Sequence, residues 1–335
     1  MSERGAIAVV DVGTISSRLL ILDFDHSGRP IVHARAALVT DLGEGNPAEG
    51  SLEHTAVERT LSAVRAYAER IRVTHFLGTR ISGVVTTLTS AARDADDTAE
   101  LLEGLASFGL APQIISGGIE ARATFLGAAG EFPGERVTVA DIGGGSTEVV
   151  TGSFDPDSGS LTMDSLHSYE VGALRLANTM DDVDGAYDQA SLEAGRVWAA
   201  GRFADPGIPH VGKNERLVTV GGTVTSLVAI RDAIDPYDPD RVHGSQLRKT
   251  DVAEALALLA PLTLFEREQV VGLQAARANT IVPGALIAET IMTLAGAKHM
   301  TVSESDILVG MARNAAAILA GEEAPLGWHP EFSTL

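Results

Sequence analysis

Residues 8–24 read AVVDVGTISSRLLILDF, and residues 138–154 read TVADIGGGSTEVVTGSF. Each stretch is an apolar segment that runs through Asp-x-Gly and small or hydroxyl residues into a second apolar segment. The two stretches align at one constant offset, which pairs Asp11 with Asp141, Gly13 with Gly143, and Ser16 with Ser146. This repeat predicts two similar domains, each of which opens with a β-hairpin whose turn is rich in Gly, Ser and Thr.

The rest of the chain alternates between strand-like and helix-like segments, which is typical of α/β proteins. Periodicity predicts strands at 31–39, 84–89 and 217–220, helices at 53–72, 116–129, 171–180 and 187–203, and a hairpin turn at 155–160. The length of 335 residues also suits two domains. We place the first at 1–125 and the second at 126–320, followed by a poorly ordered tail at 321–335. Whether a helix at about 305–320 packs back on the first domain is left open.

Charge and composition exclude several classes of protein. Lys and Arg number 25 and Asp and Glu number 45, which gives a formal net charge of −20. Nucleic acids and anionic membranes attract broad positive surfaces, so we expect neither as a partner. The chain has no Cys, which excludes disulfides and thiolate metal sites. Because it also shows no signal-peptide pattern and no apolar run of about 18 residues, we expect a cytoplasmic protein.

The two glycine-rich turns suit phosphate binding. Glycine and small hydroxyl residues expose backbone N–H groups and let an anion approach without hindrance from a Cβ atom. The Asp before each turn can hold a divalent cation beside phosphate oxygens. Two aligned copies therefore indicate a phosphate-binding cleft between paired domains. A pair of ordinary hairpins is the alternative explanation.

Three further features are candidates for the same site. Gly221-Gly222-Thr223 follows a predicted strand and opens a helix, so it offers either an anion site or simple strand-to-helix packing. Glu120 lies in the first turn of a predicted helix at the expected domain junction, where it either faces the cleft or compensates the helix dipole. Glu148 projects on the same side of its strand as Ser146, which suits a metal or water site. The candidate phosphate-binding arginines are Arg18, Arg93 and Arg122.

Further motifs follow one another along the chain. They read VTTLTSAARDA at 85–95, ISGGIEARATFLGA at 115–128, VGGTVTSL at 220–227, ARANTIVPGALIAETIM at 276–292 and VSESDILVGM at 302–311. With the two turns, this set resembles the exopolyphosphatase / guanosine pentaphosphate phosphohydrolase family over about residues 6–312. The resemblance implies an α/β fold of two duplicated ribonuclease-H-like domains of the actin-like superfamily, with a cleft between them. It also implies hydrolysis of a terminal phosphate of inorganic polyphosphate or of guanosine pentaphosphate, with Mg²⁺ or Mn²⁺ as cofactor.

The resemblance implies a role for each candidate. Glu120 resembles the catalytic base that activates the attacking water, and Asp141 and Glu148 resemble metal ligands. The candidate phosphate-binding residues come from both turns, the glycine step and two arginines: Asp11, Gly13, Thr14, Ser16, Arg18, Arg93, Gly143, Gly144, Gly145, Ser146, Gly222 and Thr223.

Two positions depart from the family's usual pattern. Ile15 stands where Asn is usual, and Ile119 stands where a second Glu often occurs. The first departure favours a non-catalytic sensor of polyphosphate or guanosine phosphates, whereas the retained Glu120 favours hydrolysis. The chain is too short for the C-terminal His-Asp-type domain of longer members, so we expect short polyphosphate chains as substrates. Guanosine pentaphosphate hydrolysis, a sensor and a kinase of the same superfamily are the alternatives, and a homodimer is left open.

Overall fold

Two compact units make up the molecule. The computed structural model describes residues 5–45, 50–155 and 158–333. The first unit consists of Met1–Pro133, Phe154–Leu161 and Ile307–Leu335, and the second of Gly134–Ser153 and Thr162–Asp306. Each unit is built on its own β-sheet covered by helices. The α/β fold class predicted from the alternating segments is confirmed.

The sheet of the first unit begins with the predicted hairpin. Its strands are β1 (Ala6–Val12), β2 (Ser16–Phe24), β3 (Pro30–Val39), β4 (Ile81–Leu88) and β5 (Pro112–Ile114). Their order in the sheet is β3-β2-β1-β4-β5. The hairpin strands pair antiparallel, whereas β4 and β5 run parallel to β1. Strand β1 is buried along its whole length because it is central in the sheet, and its β-branched residues suit that position.

Four helices accompany this sheet: α1 (His54–Phe76), α2 (Ser90–Asp94), α3 (Ala99–Ser107) and α4 (Gly117–Ala129). Helix α1 buries one stripe, with Val57, Val64 and Ile71 at helical spacing. Its Tyr67 hydroxyl donates to the Ser17 carbonyl at 2.8 Å, and burial raises the pKa of this tyrosine to about 12. The Ser116 side chain accepts from the Ile119 N–H and begins α4, as the sequence predicts.

The second unit repeats this topology. The strands of its sheet are β6 (Val137–Ile142), β7 (Thr147–Asp155), β8 (Ser160–Tyr169), β9 (Arg216–Val220), β10 (Gln246–Arg248) and β11 (His299–Val302). The ends of β7 and β8 within Phe154–Leu161 belong to the first unit. In the sheet they are ordered β10-β11-β9-β6-β7-β8. Strands β8-β7-β6-β9-β11 thus take the places of the five strands of the first sheet, and the three-residue β10 is an added edge strand that the sequence analysis missed. Residues 156–157 of the predicted turn lie outside the described residues.

Helices of the second unit surround a long apolar one. They are α5 (Ala173–Ala177), α6 (Gln189–Arg202), α7 (Gly222–Arg231), α8 (Pro239–Val242), α9 (Lys249–Leu259), α10 (Leu264–Arg267) and α11 (Ile281–Leu294). Helix α11 is buried on nearly all sides and packs against α5, α6, α7 and α9. A helix that is apolar all round is expected in such a central position. No helix in the described ranges is both long and apolar enough to cross a membrane.

The last helix, α12 (Ile307–Leu319), belongs to the first unit and packs on α4. The segment after α12 corrects the expectation of a poorly ordered tail. The Asn314 amide donates to the Trp328 carbonyl and accepts from the Leu326 N–H, each at 3.0 Å, and Leu326 is buried. Asn314 is fully buried on α12, so its amide needs these partners. Residues 334 and 335 of the predicted tail lie outside the described residues.

The contact between α4 and α12 depends on a glycine. A Cβ atom at Gly310 would lie 1.8 Å from the Ala123 carbonyl oxygen. We therefore expect Gly310→Ala to push the two helices apart and lower the free energy of unfolding by about 1–3 kcal/mol or more. Thermal and urea unfolding measure this change.

Gly201→Ala is the matched control. Gly201 lies on α6 with nothing within 4 Å of an added Cβ atom. This variant should be neutral or more stable by about 0.4–1 kcal/mol because alanine restricts the unfolded chain. Equal stability of the two variants would contradict the close packing of α4 on α12.

Candidate functional site

The two predicted turns have the same geometry. The Gly13 N–H donates to the Ser16 carbonyl at 3.0 Å, and the Gly143 N–H donates to the Ser146 carbonyl at 3.0 Å. A Cβ atom at either glycine would lie 3.0–3.1 Å from that serine carbonyl oxygen. Such a contact is tighter than nearly all real Cβ contacts, so glycine closes both turns. The duplication read from the sequence is therefore also a duplication of structure.

In the first unit, the residue facing the turn's aspartate is an arginine. Asp11 and Arg18 are cross-strand partners on β1 and β2. The Arg18 guanidinium donates to Asp11 Oδ2 from Nη2 at 2.7 Å and from Nε at 3.3 Å, and Thr87 donates to Oδ1 at 3.2 Å. Asp11 is 2% exposed. The first turn therefore neutralises its own carboxylate with a side chain of the same hairpin.

In the second unit, the same position holds a carboxylate. Asp141 and Glu148 are the cross-strand partners on β6 and β7, and Glu148 aligns with Arg18. Glu148 is 2% exposed, and its Oε1 accepts from the Ser168 hydroxyl at 2.7 Å. Directly paired residues of antiparallel strands project on the same face of the sheet, where two like charges repel. A cation between these carboxylates would remove that repulsion.

The donor set fits Mg²⁺. This ion takes oxygen ligands, keeps several waters, and is usually bound through one or two carboxylates together with substrate phosphate. Asp141 and Glu148 would supply those carboxylates, next to the Gly143–Ser146 turn. Within the described ranges no group of three or more His, Cys, Asp and Glu side chains could hold a metal. The remaining ligands would thus be water and phosphate oxygens.

Helix α5 orients the second turn. The N–H groups at its start donate to the carbonyls of Gly143 and Gly144, and Arg175 Nε donates to the Gly145 carbonyl at 2.8 Å. In a trans peptide the N–H points opposite to its C=O. The N–H groups of Gly144, Gly145 and Ser146 therefore point away from α5. Among the described residues none of these three N–H groups has an acceptor, and this arrangement suits an anion.

The glycine step before α7 contacts the same turn. Gly221 has φ +99°, a conformation that favours glycine, and a Cβ atom there would lie 2.8 Å from the Ile142 carbonyl oxygen and 3.1 Å from Asp141 Oδ1. A Cβ atom at Gly222 would lie 1.9 Å from Nη1 of Arg277. The start of α7 is thus packed beside the aspartate of the second turn, with a guanidinium over it. The small hydroxyl residues of the three segments are mostly buried, between 3% and 9% exposed: Thr14, Ser16, Ser146 and Thr223.

Glu120 forms an ion pair with Arg93 in the first unit. Arg93 Nη1 donates to Glu120 Oε2 and to the Ile115 carbonyl, both at 3.0 Å. The Glu120 side chain is 11% exposed and lies in the first turn of α4. Arg93 reaches it from α2, whose preceding residue Thr89 donates its N–H to the Val12 carbonyl beside the first turn. The carboxylate is therefore held in place near the end of β1.

The predicted residues form two groups, one in each unit. In the first unit, Asp11 is paired with Arg18, and Arg93 with Glu120. In the second unit, the Gly143–Ser146 turn lies with Asp141, Glu148 and the start of α7. The predicted cleft that would join the two groups stays a prediction.

Sequence reasoning missed three polar side chains: Ser168, Arg175 and Arg277. Arg277 stands inside the quoted motif at 276–292, which was the available signal. Ser168 and Arg175 stand outside every quoted motif, and they come together with the second turn only in the folded unit.

Ile15 contributes through its backbone. Its carbonyl accepts from the N–H groups of Thr40 and Asp41, each at 2.9 Å. These bonds do not depend on the side chain, so the departure from Asn leaves the first turn anchored. Compared with Asn, the Ile15 side chain only lacks one polar group.

The structure defines a class: a duplicated α/β protein with a glycine-closed turn at the start of each half. The chain belongs to the Ppx/GppA phosphatase family, whose model matches residues 22–312. Members of this family are phosphatases that hydrolyse phosphoanhydride bonds. Exopolyphosphatase 2 of Mycobacterium tuberculosis is 32% identical over 339 residues, covering 92% of this chain and 98% of the relative. Exopolyphosphatase 1 of Mycobacterium bovis is 26% identical and covers 85% of this chain and 81% of the relative.

Solved structures of the same family share the fold. A Ppx/GppA family member from Aquifex aeolicus superposes with a TM-score of 0.75 at 24% identity, covering 95% of this chain and 98% of that one. An exopolyphosphatase-like protein gives a TM-score of 0.82 at 24% identity, covering 94% and 99%. An exopolyphosphatase from Cytophaga hutchinsonii gives 0.78 at 20% identity, covering 95% and 99%. These similarities confirm the predicted fold class, and the family model confirms the predicted family.

The orientation of the second turn depends on Gly172, the residue before α5. A Cβ atom there would lie 2.2 Å from the Gly144 carbonyl oxygen, which is backbone and cannot swing away. We expect Gly172→Ala to displace the Gly144–Gly145 peptides and to lower the melting temperature by several degrees, since overpacking costs about 1–3 kcal/mol. Differential scanning calorimetry measures the change.

Gly222→Ala is the control for this substitution. Its added Cβ atom would meet the end of the Arg277 side chain, which can rotate, so the melting temperature should change much less. A Gly172→Ala protein as stable as the Gly222→Ala protein would show that α5 does not fix the turn.

Proposed function

We propose that the protein is an exopolyphosphatase that removes the terminal phosphate of inorganic polyphosphate by Mg²⁺-dependent hydrolysis. The observation that carries the proposal is the Glu120–Arg93 pair, a nearly buried carboxylate held at the start of α4. A carboxylate fixed in this way suits a general base, because proton transfer requires a defined position. The named exopolyphosphatases among the relatives, one of them 32% identical over 92% of this chain, support polyphosphate as the substrate.

In the proposed reaction a water molecule attacks the terminal phosphorus as Glu120 takes up its proton. A new P–O bond forms to the water oxygen, the anhydride P–O bond breaks, and the shortened chain leaves with the bridging oxygen. Arg93 keeps the Glu120 carboxylate oriented. The N–H groups of Gly144, Gly145 and Ser146 would bind phosphate oxygens.

The metal belongs to this proposal as well. Asp141 and Glu148 would hold Mg²⁺, and Mn²⁺ is the alternative ion. The bound ion would neutralise charge on the phosphate oxygens. The first turn, whose aspartate is already paired with Arg18, would bind phosphate without a metal.

The net charge favours short chains. At −20 the protein repels a polyanion at long range, so affinity must come from the turns, the metal and nearby arginines. A long chain would gain little from contacts beyond them. Hydrolysis of guanosine pentaphosphate and a sensor without turnover are the alternatives. A cytoplasmic location and a homodimer remain expectations from the sequence.

Phosphate release from short polyphosphate, long polyphosphate, guanosine pentaphosphate and ATP, measured side by side, tests the proposal. Polyphosphate should give the highest kcat/KM, and KM should fall only slightly as the chain lengthens. Raising the salt at constant free Mg²⁺ should weaken the binding of long and short chains by similar factors. Salt screens exposed charges over about 8–10 Å, and both chains would be bound mainly through the terminal phosphate, which is less exposed. Preference for guanosine pentaphosphate, or a steep and salt-sensitive gain with chain length, would contradict it.

Glu120→Gln identifies the source of this activity. The substitution keeps size and hydrogen bonding, and it should lower kcat by roughly 10²–10⁴-fold, the usual contribution of a general base. Glu103→Gln, which alters an exposed carboxylate on α3, should retain the wild-type rate. A folded Glu120→Gln protein with near-normal turnover would remove Glu120 from the mechanism.

The two hairpins provide a matched test of the metal site. Asp141→Asn should weaken Mn²⁺ binding at least about tenfold, because it removes one of two proposed ligands. Asp11→Asn changes the aligned residue of the first turn, which is already paired with Arg18, and should leave Mn²⁺ affinity unchanged. Electron paramagnetic resonance of Mn²⁺, with inorganic phosphate present, measures both. Equal effects of the two substitutions would contradict a metal site confined to the second turn.

A further inference from the structure

A pocket lies in the first unit, away from the Gly13–Ser16 turn. It has a volume of about 930 Å³, within the usual range for small-molecule sites. Its floor includes Ile7 at the start of β1 and Phe24 at the end of β2. Asp11 stands four residues further along β1 than Ile7, which is about 13 Å at 3.3 Å per residue. The pocket is therefore distinct from the turn proposed to bind phosphate.

A half-buried arginine lines this pocket. The Arg313 guanidinium lies 4.9 Å from the centre of the Phe24 ring and 6.0 Å from that of Phe154. Its Nε atom is buried and has no hydrogen-bond partner among the residues that the structure describes. Burial lowers the pKa of Arg313, yet a guanidinium stays protonated in proteins. A half-buried cation thus carries one donor that the chain does not use, which costs stability. The nearby Glu131 carboxylate offsets part of this cost by its charge.

An acceptor in the same pocket is also unsatisfied. Asp23 lines the pocket, and its Oδ1 atom is buried with no hydrogen-bond partner in the described part of the chain. Its other oxygen, Oδ2, lies 3.4 Å from Nε2 of His33. Native proteins leave few buried polar atoms unsatisfied, and those that remain need an explanation. A ligand's anionic group would therefore lie beside the Arg313 guanidinium and away from Asp23, because like charges repel.

The walls indicate what the body of that ligand is like. Leu126 from α4 and Ala316 and Ala317 from α12 contribute apolar surface. Phe24 and Phe154 add aromatic rings near the guanidinium. Flat apolar groups pack well against such rings. The pocket therefore suits a flat, apolar body.

The charges around the pocket favour a ligand with a single negative charge. The guanidinium fork binds carboxylates and phosphates through paired hydrogen bonds. Three acidic residues also line the pocket: Asp23, Asp25 and Glu322. The carboxylate of Asp25 already accepts from Ser27 and from the Arg29 N–H. These acids and the net charge of −20 disfavour a multiply charged ligand.

We propose that this pocket binds a small organic monocarboxylate with a flat apolar body, whose carboxylate pairs with Arg313. The site is separate from the proposed hydrolysis of polyphosphate and does not depend on it. Nothing in the proposed reaction uses Arg313, Asp23 or Phe154.

The full chain titrated with 2-naphthoate tests the proposal. Isothermal titration calorimetry should show one site with a Kd below about 1 mM, a modest affinity for a ligand of this size. The uncharged 2-naphthamide should bind at least tenfold more weakly, because it cannot form the charged pair with Arg313. Equal binding of acid and amide, or no saturable binding of 2-naphthoate, would overturn the proposal. Tighter binding of 2-naphthyl phosphate would overturn the choice of a carboxylate.

Arg313→Met assigns the binding to this residue. It should weaken 2-naphthoate binding at least tenfold and leave the melting temperature unchanged or higher, because a poorly satisfied, half-buried cation is replaced by an apolar chain of similar length. Arg70→Met, which alters an exposed arginine on α1, should keep wild-type affinity. Unchanged affinity in Arg313→Met, with a melting temperature lowered by about 5 °C or more, would show that Arg313 only holds the two phenylalanines together.

Ala317→Phe covers the case in which Arg313→Met does not fold. This substitution fills the pocket from α12 and leaves Arg313 in place, so 2-naphthoate binding should be lost without loss of stability. A folded Ala317→Phe protein that binds 2-naphthoate as the wild type does would overturn the proposal.

Discussion

The cross-strand pair beside each glycine turn decides what each half of the molecule can bind. The turn closes through one hydrogen bond from a glycine N–H to a serine carbonyl, and that closure sets the register of the hairpin. In the first unit the register places Arg18 opposite Asp11, and in the second it places Glu148 opposite Asp141. One half thus pairs opposite charges at this point, and the other brings two acidic residues together. A single difference between aligned positions gives the duplicated hairpins different requirements for an added cation.

Close backbone contacts keep these turns in place. The carbonyls of the second turn accept from the start of α5, and Gly172 lets the two segments approach within a distance that a Cβ atom would block. Gly310 allows the same closeness between α12 and α4, the helix that carries Glu120. Packing of this kind resists small displacements, because a well-packed interior has little free volume. The candidate site therefore rests on rigid elements.

Two arginines, one fully buried and one half-buried, show how differently one residue type can be used. Arg267 is fully buried, and its guanidinium donates to four backbone carbonyls, those of Gly185, Leu259, Leu262 and Ala278. These bonds connect loops of the second unit, and the Nε atom and both Nη atoms of Arg267 all have partners. Arg313 lies beside two aromatic rings, and its Nε atom has no hydrogen-bond partner among the described residues. The first arrangement is complete within the chain, and the second leaves one donor without a partner among the described residues.

The sequence by itself determined the duplicated hairpins, the α/β class, the Ser116 cap and the candidates in each turn. These features depend on local rules: alternation along a strand, glycine where a Cβ atom would collide, and a hydroxyl side chain before a helix. Only the tertiary structure decided that Arg93 holds Glu120, that Ser168 contacts Glu148, and that Arg313 lies beside Phe24. Each of these contacts joins residues far apart in the chain, and no local pattern encodes which distant side chain will fill a given space. The segment after α12 was misjudged for the same reason. It is held by hydrogen bonds to the buried Asn314 amide, and only folding brings the segment and this amide together.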